Sequence, residues 1–256
     1  MQLHFRSYGA GSPLVILHGL FGSLENWHTI SARLGAHFQM FALDLRNHGQ
    51  SPHSTAMDYT VMADDLREFL EQHDLKRADI LGHSMGGKVA MEFAALYPDR
   101  VHRLIIVDIA PKAYPPSHRQ ILDALLSLDL ARFDDRREIE TALQPQIPDL
   151  ALRRFLLKSL TRLPNGAFAW KLNLPAINHN YPKLNAALNW SPPIQKPTLF
   201  IRGAKSDYIQ DTDQELIHRL FTNAEIRTIE NAGHWVHAEA PEPFLKILQD
   251  FLTLHL

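Results

Sequence analysis

The stretch that decides the fold is DILGHSMGGKVAMEFAALYP, residues 79–98. It starts as a short apolar strand, continues from residue 85 with apolar residues at helical spacing, and ends at Pro98. Between strand and helix, Gly82 and Gly86 flank Ser84 in the pattern G-x-S-x-G. Side chains at the two glycine positions would collide with the neighbouring chain in so sharp a turn. The pattern therefore predicts a strained backbone at Ser84 and an exposed hydroxyl at a strand end.

Short apolar strands alternate with amphipathic helices on both sides of this turn. The predicted strands are residues 3–8, 14–17, 39–45, 79–81, 104–109, 198–202 and 225–229. The predicted helices include residues 60–73, 85–97 and 244–254. This alternation is typical of a mostly parallel sheet with helices on both faces, which places the chain in the α/β class.

Two proline-rich linkers interrupt the alternation and bound residues 112–191. Residues 117–163 look helical, with no strand candidate, and residues 165–190 are less regular. We therefore expect residues 1–111 and 192–256 to form one core, and the segment between them to be a helical cap. Sites in open α/β sheets lie at the carboxyl ends of the strands, so we expect the cap to cover that edge.

The composition excludes several classes of protein. The chain has 256 residues, a net charge of −2, 45% hydrophobic residues and no cysteine. It is too apolar for a disordered chain, and it offers no disulfide framework, thiolate zinc site or cysteine nucleophile. Its charge gives no general reason to bind nucleic acid, and no stretch approaches the roughly 20 apolar residues of a membrane span. We expect a cytoplasmic monomer that acts on a small molecule.

A serine hydroxyl becomes a useful nucleophile only beside a base that is oriented by an acid. His234 lies on a loop after the last predicted strand, directly after a glycine, and is the predicted base, with His237 as the local competitor. Two aspartates are candidates for the acid, because both preserve the chain order serine, acid, histidine. Asp108 lies at the end of the strand after the Ser84 helix, and Asp207 lies on a later turn. The residues alone leave both aspartates open as the acid.

An oxyanion formed at the Ser84 site would need backbone N–H donors. One is expected from Met85, directly after the nucleophile. The other is expected from the glycine-rich turn after the strand at residues 14–17, where the N–H of Leu20 is the first choice and that of Phe21 the alternative.

Five motifs together resemble the α/β-hydrolases, and in particular the YbfF-type esterases. They are HGLFGS at residues 18–23, DLRNHGQS at 44–51, GHSMGGK at 82–88, DIAP at 108–111 and GHWVH at 233–237. The resemblance covers the whole chain. It implies hydrolysis of carboxylic esters and of thioesters, including short acyl esters and acyl-CoA, through an acyl-enzyme intermediate and without a cofactor or metal.

The resemblance also bears on the acid. Most α/β-hydrolases place the aspartate three residues after a strand-end glycine, and here that position is Ser206, with Asp207 one residue late. The YbfF group resembles this chain in having serine there, and it uses the aspartate before the cap. The resemblance therefore favours Asp108, with Ser206 as a helper and Asp207 as the alternative.

Serine at the turn disfavours the dehalogenases and epoxide hydrolases of this architecture, which use aspartate there. Two alternatives stay open: a carbon–carbon bond hydrolase or lyase on the same fold, and a non-catalytic receptor for a small molecule. The residues expected to line the substrate pocket are Phe21, Phe155, Leu156, Trp170, Leu174, Tyr181 and Trp235.

Several polar residues are interpreted as structural. We expect a braced loop rather than reacting groups at His18, Asp44, Arg46, His48 and Ser51. The basic side chains at 153, 154 and 158 are interpreted as a solvated helix face, with binding of a CoA phosphate as the alternative.

Overall fold

The computed structural model describes residues 1–254; residues 255 and 256, the last two of the predicted core, lie outside the described part. The strands of the described part are β1 (Phe5–Tyr8), β2 (Pro13–Leu17), β3 (Gln39–Leu43), β4 (Ala78–His83), β5 (Val101–Val107), β6 (Leu160–Arg162), β7 (Phe168–Trp170), β8 (Thr198–Gly203) and β9 (Ala224–Ile229). Its α-helices are α1 (His28–Leu34), α2 (Tyr59–Gln72), α3 (Met85–Leu96), α4 (Arg119–Ser127), α5 (Arg136–Leu143), α6 (Leu150–Leu157), α7 (Leu174–Asn185), α8 (Gln214–Leu220), α9 (Val236–Glu239) and α10 (Pro241–Leu254).

Seven strands form one sheet in the order β1-β3-β2-β4-β5-β8-β9. Only β1 runs antiparallel to its neighbour, and the other pairings in this sheet are parallel. All seven predicted strands are present, with the largest shift at β5, which begins at Val101 rather than at residue 104. The prediction of a mostly parallel α/β sheet is confirmed.

The sheet is buried on both faces because its strands are apolar on both faces. In β2, Leu14 and Ile16 pack in a cluster with α1 and α10. Val15 and Leu17 pack in a second cluster with α2 and α3. Alternate side chains of a strand point to opposite faces, so one continuous apolar run supports both layers. Burial at roughly 25 cal/mol per Å² of apolar surface makes these two layers the main source of stability.

The segment between β5 and β8 contains α4 to α7 and, contrary to expectation, a β-hairpin. Strands β6 and β7 pair antiparallel, with Leu160 opposite Trp170. The prediction that residues 117–163 hold no strand was wrong because it overlooked the turn between these strands. Asn165 and Gly166 occupy that turn, and Gly166 has φ +86°, a conformation that favours glycine.

Hydrogen bonds from two buried side chains attach both ends of this segment to the core. Lys88 Nζ on α3 donates to the carbonyl of Lys112 at 2.8 Å and to that of Ala186 at 2.6 Å. Tyr59 Oη on α2 donates to the carbonyl of Leu184 at 2.5 Å. These donors hold the backbone where the chain leaves the core and where α7 ends. No helix within residues 1–254 has both the length and the apolar character needed to cross a membrane.

Candidate active site

Ser84 stands on the tight turn between β4 and α3, with φ 53° and ψ −119°. A Cβ on Gly82 would lie 2.2 Å from the carbonyl oxygen of Gly86, and a Cβ on Gly86 would lie 2.3 Å from that of Leu17. Only glycine fits at both places, as the pattern predicts. The Ser84 N–H donates to the carbonyl of Val107 at 3.0 Å, which fixes the turn against β5. The strained serine is therefore presented at the carboxyl end of β4.

His234 lies on the loop after β9, and its orientation is fixed from several sides. Its Nδ1 is 2.8 Å from Oδ2 of Asp108. The Tyr208 ring stacks on the imidazole with centroids 3.8 Å apart, and His83 Nε2 donates to the His234 carbonyl at 2.9 Å. With Nδ1 occupied by the carboxylate, Nε2 is the nitrogen left to exchange a proton. Sequence reasoning missed Tyr208, because no local pattern marks a ring that stacks on a distant histidine.

Asp108 is fully buried at the end of β5. It has φ 51°, and its N–H donates to the carbonyl of Ile201 at 2.8 Å. Its Oδ1 accepts the Gly203 N–H at 3.1 Å, and its Oδ2 accepts the Ser206 hydroxyl. Asp207, in contrast, is exposed and forms no hydrogen bond or ion pair within residues 1–254. The structure thus brings Asp108 and Ser206 to His234, and it leaves Asp207 outside this network.

Burial sets the electrostatics of the pair. It lowers the pKa of His234 from its ordinary value of 6.5, so the imidazole is neutral near neutral pH and able to accept a proton. Burial raises the pKa of Asp108 to about 7, although the hydrogen bonds from Ser206 and Gly203 act in the opposite direction. These donors, together with a proton on His234 Nδ1, favour the carboxylate form that the imidazolium needs beside it.

The two alternatives for the second oxyanion donor differ in their hydrogen bonding. The Phe21 N–H donates to His48 Nε2 at 3.3 Å, and Phe21 has φ 62°. The Leu20 N–H has no acceptor among the described residues. Met85 opens α3, where the first N–H groups have no acceptor within the helix. The geometry therefore leaves the N–H groups of Leu20 and Met85 free for a ligand.

The loop after β3 is held by hydrogen bonds, in keeping with its structural interpretation. Asp44 accepts the Leu24 N–H and the Gln50 N–H, each at 2.8 Å. His18 Nδ1 donates to the Gly19 carbonyl at 2.8 Å, and its Nε2 accepts the Leu45 N–H at 3.0 Å. In the same loop, Arg46 pairs with Asp65, Ser51 donates to the carbonyl of Asp44, and His48 Nδ1 donates to the carbonyl of Arg46.

Two cavities meet at Ser84. The larger has a volume of about 260 Å³ and the smaller about 40 Å³. Of the residues predicted to line the pocket, Phe21, Phe155 and Trp235 line the larger cavity and Tyr181 lines the smaller.

The other three predicted lining residues are not at these cavities. Trp170 is held in β7 opposite Leu160 and lines neither cavity. Leu156 and Leu174 are buried in the apolar core instead. Both lie on helices of the segment between β5 and β8.

The basic residues of α6 and its end have different environments. Arg153 is buried and donates to the carbonyls of Ile147 and Pro148 at 2.7 and 2.8 Å, so it braces the backbone. Arg154 is exposed, whereas Lys158 lines the larger cavity. They do not form one solvated face. His118, which precedes α4, lines both cavities and was missed by sequence reasoning.

Known proteins resemble this chain over nearly its whole length. A sequence profile of the alpha/beta hydrolase fold family matches residues 12–241. The chain is 34% identical to Esterase YbfF of Escherichia coli (strain K12), over 99% of this chain and 100% of the relative. It is 37% identical to the sn-1-specific diacylglycerol lipase ABHD11 of Danio rerio, over 97% of this chain and 80% of the relative. A solved structure titled "Marine microorganism esterase" superposes with a TM-score of 0.96 and 43% identity, over 98% of this chain and 99% of the other.

The parallel sheet, the glycine-flanked turn at its carboxyl edge and these similarities define a hydrolase of the α/β type. The chain belongs to the α/β-hydrolase family. Its relatives are named esterases and lipases, and the chain is an ester hydrolase of the carboxylesterase type.

Proposed function

We propose that the protein is a serine hydrolase that cleaves carboxylic esters of small molecules, and thioesters by the same steps, through an acyl-enzyme intermediate. The observation that carries this proposal is the 2.8 Å contact between His234 Nδ1 and Asp108 Oδ2, beside a strained Ser84. Ser84 and His234 line one cavity. This arrangement supports a serine, histidine and aspartate triad.

In the first half of the proposed reaction, Ser84 Oγ attacks the ester carbonyl carbon while His234 Nε2 takes the hydroxyl proton. The carbonyl π electrons move to the oxygen, which the N–H groups of Leu20 and Met85 stabilise. Loss of one such donor typically costs a few kcal/mol of transition-state stabilisation. The tetrahedral intermediate then expels the alkoxide or thiolate, which takes the proton from His234. Asp108 stabilises the imidazolium throughout, and Ser206 holds the carboxylate.

In the second half, water attacks the acyl carbon and gives one proton to His234. The Ser84 oxygen leaves and recovers that proton, and the carboxylic acid is released. Because proton and charge are handled by the chain's own groups, these steps use no cofactor or metal.

We propose that the core carries the catalytic groups and that the cap covers the site, as the sequence predicts. In this proposal residues 1–111 and 192–256 supply the triad and the oxyanion donors. Residues 112–191 form the cap. This assignment is supported by Ile121, Leu152 and Phe155, which belong to this segment and line the larger cavity. The cap would then select the substrate, and the protein would work as a monomer in the cytoplasm.

The test compares wild-type protein with Ser84→Ala on p-nitrophenyl acetate, butyrate, octanoate and palmitate. We expect turnover by the wild type and a loss of about 10⁶-fold in kcat in the variant. A fluorophosphonate probe should add its mass to the wild type and not to the variant. Equal inactivity of both proteins on every ester, with no labelling, would refute the proposal.

A further inference from the structure

The two cavities at Ser84 have different walls. Both are lined by Ser84, Leu20 and His118. Only the larger is lined by His234, and only the smaller is lined by Met85. The proposed base therefore faces one cavity, and the residue directly after the nucleophile faces the other.

The chemistry of the tetrahedral carbon assigns a substituent to each cavity. That carbon bears four groups: the serine oxygen, the oxyanion, the leaving oxygen or sulfur, and the acyl tail. The leaving atom must take its proton from His234 Nε2, so the leaving group must lie on the side that His234 lines. The oxyanion points at the backbone N–H donors. The acyl tail is the one substituent not yet assigned, and the smaller cavity is the space left to hold it.

The smaller cavity holds few atoms. A water-sized group needs roughly 10–15 Å³ of such volume, so about 40 Å³ accommodates roughly three. The acyl carbonyl lies at Ser84, so about three further carbons fit beyond it. The larger cavity has more than six times this volume.

The walls of the smaller cavity are fixed, so the cavity cannot easily expand. Tyr114 Oη donates to the carbonyl of Tyr208 at 2.6 Å, and Tyr181 Oη accepts the His118 N–H at 2.7 Å. Lys88 is held by two carbonyls. Side chains tied to backbone groups lose hydrogen bonds when they move, which a longer acyl chain would have to compensate.

We propose that the smaller cavity is the acyl site, and that the enzyme is selective for acyl groups of about two to four carbons on large apolar alcohols or thiols. This inference rests on the proposed serine-hydrolase function. It separates the two halves of the substrate: the acyl half is restricted in length, and the leaving half is not.

The experiment measures kcat/KM on two ester series. One series is p-nitrophenyl esters with acyl chains from acetyl to octanoyl, and the other is acetates of primary alcohols from ethyl to octyl. We expect a fall of at least tenfold between butyryl and hexanoyl, because each methylene in a pocket is worth about tenfold or more. Along the alcohol series we expect no such fall.

A matched pair of variants tests which cavity does which task. Leu184→Ala removes a wall of the smaller cavity, and Leu152→Ala makes the same change in the larger. We expect Leu184→Ala to move the acyl optimum to longer chains, and Leu152→Ala to alter only the alcohol profile. Ile109→Val enlarges the smaller cavity by one methyl group and serves if Leu184→Ala does not fold.

The outcomes are distinguishable from a failure of the proposed function. A wild type inert on every ester, and not labelled by fluorophosphonate, would refute serine-hydrolase function itself. An active wild type with a flat acyl profile, or with its optimum at octanoyl, would overturn only the acyl-site assignment. So would an acyl optimum that moves with Leu152→Ala and not with Leu184→Ala.

Discussion

Replacing Asp108 by asparagine would give the sharpest test of the proposed acid, because the change in shape is minimal. Oδ1 of the asparagine can still accept the Gly203 N–H, now seen at 3.1 Å. The amide NH₂ then lies where Oδ2 is, 2.8 Å from His234 Nδ1, and it donates. To accept it, His234 must carry its proton on Nε2, which can then no longer take a proton from Ser84. In the opposite orientation of the asparagine side chain, its NH₂ group would face the Gly203 N–H, and two donors would repel each other.

We expect a large loss of kcat on replacing Asp108 and almost none on replacing Asp207. The same change of tautomer in a serine protease lowers kcat by about 10⁴-fold, or about 5.4 kcal/mol at 1.36 kcal/mol per factor of ten. We expect a loss of this order for Asp108→Asn with p-nitrophenyl acetate. The exposed Asp207 forms no hydrogen bond or ion pair within residues 1–254, so Asp207→Asn should stay within about twofold of the wild type.

Urea unfolding of both variants provides the control, since a loss of activity bears on the acid only when the variant is folded. Near wild-type activity in a folded Asp108→Asn, together with a loss of about 10³-fold or more in Asp207→Asn, would refute the assignment of the acid.

Three further predictions concern Ser206, His234 and Lys88. Ser206→Ala removes one donor to Asp108, and a loss of about tenfold in kcat is expected, whereas a loss as large as that of Asp108→Asn would contradict a helper role. Burial lowers the pKa of His234, so the imidazole should become protonated only as pH falls through that lowered pKa; an NMR titration of the His234 ring with its midpoint at or above pH 6.5 would contradict this. Lys88→Met should lower the free energy of unfolding by roughly 2–4 kcal/mol in urea titrations, because two carbonyls lose the charged donor of a buried lysine, partly offset by the cost of burying that charge. An unchanged midpoint would speak against it.

The elements that were predictable are those whose constraints are local. The turn at Ser84 could be predicted from its two glycines, because one is crowded by the turn itself and the other by the end of the neighbouring strand β2. The strands of the sheet could be read from apolar runs, since burial on both faces demands them. The hairpin between Leu160 and Trp170 was not predicted, because its strands are three residues long and too short for any periodicity.

The acid and the pocket depended on contacts that local sequence does not encode. Asp108 and Asp207 both fit the order of the chain. In space, Asp108 is distinguished by its contacts with His234, the Gly203 amide and the Ser206 hydroxyl. Tyr208 and His118 reach the site from loops whose positions are set by packing. For such residues the sequence supplies the side chain but not the direction in which it points.

The topology of the sheet explains why the site forms where it does. Strands β4, β5, β8 and β9 are consecutive neighbours, and neighbouring strands lie about 4.8 Å apart. Ser84, Asp108, Ser206 and His234 each follow one of these strands, so residues as far as 126 positions apart in sequence meet at 2.8 Å. A change that moves one strand end should therefore disable the triad without replacing any of its members. A side chain at Gly203 is such a change, because its Cβ would lie 2.3 Å from the Gly233 carbonyl oxygen. Loss of activity in a folded Gly203→Ala variant with an intact Ser84 would show that the site depends on the register of the strand ends as much as on its reacting groups.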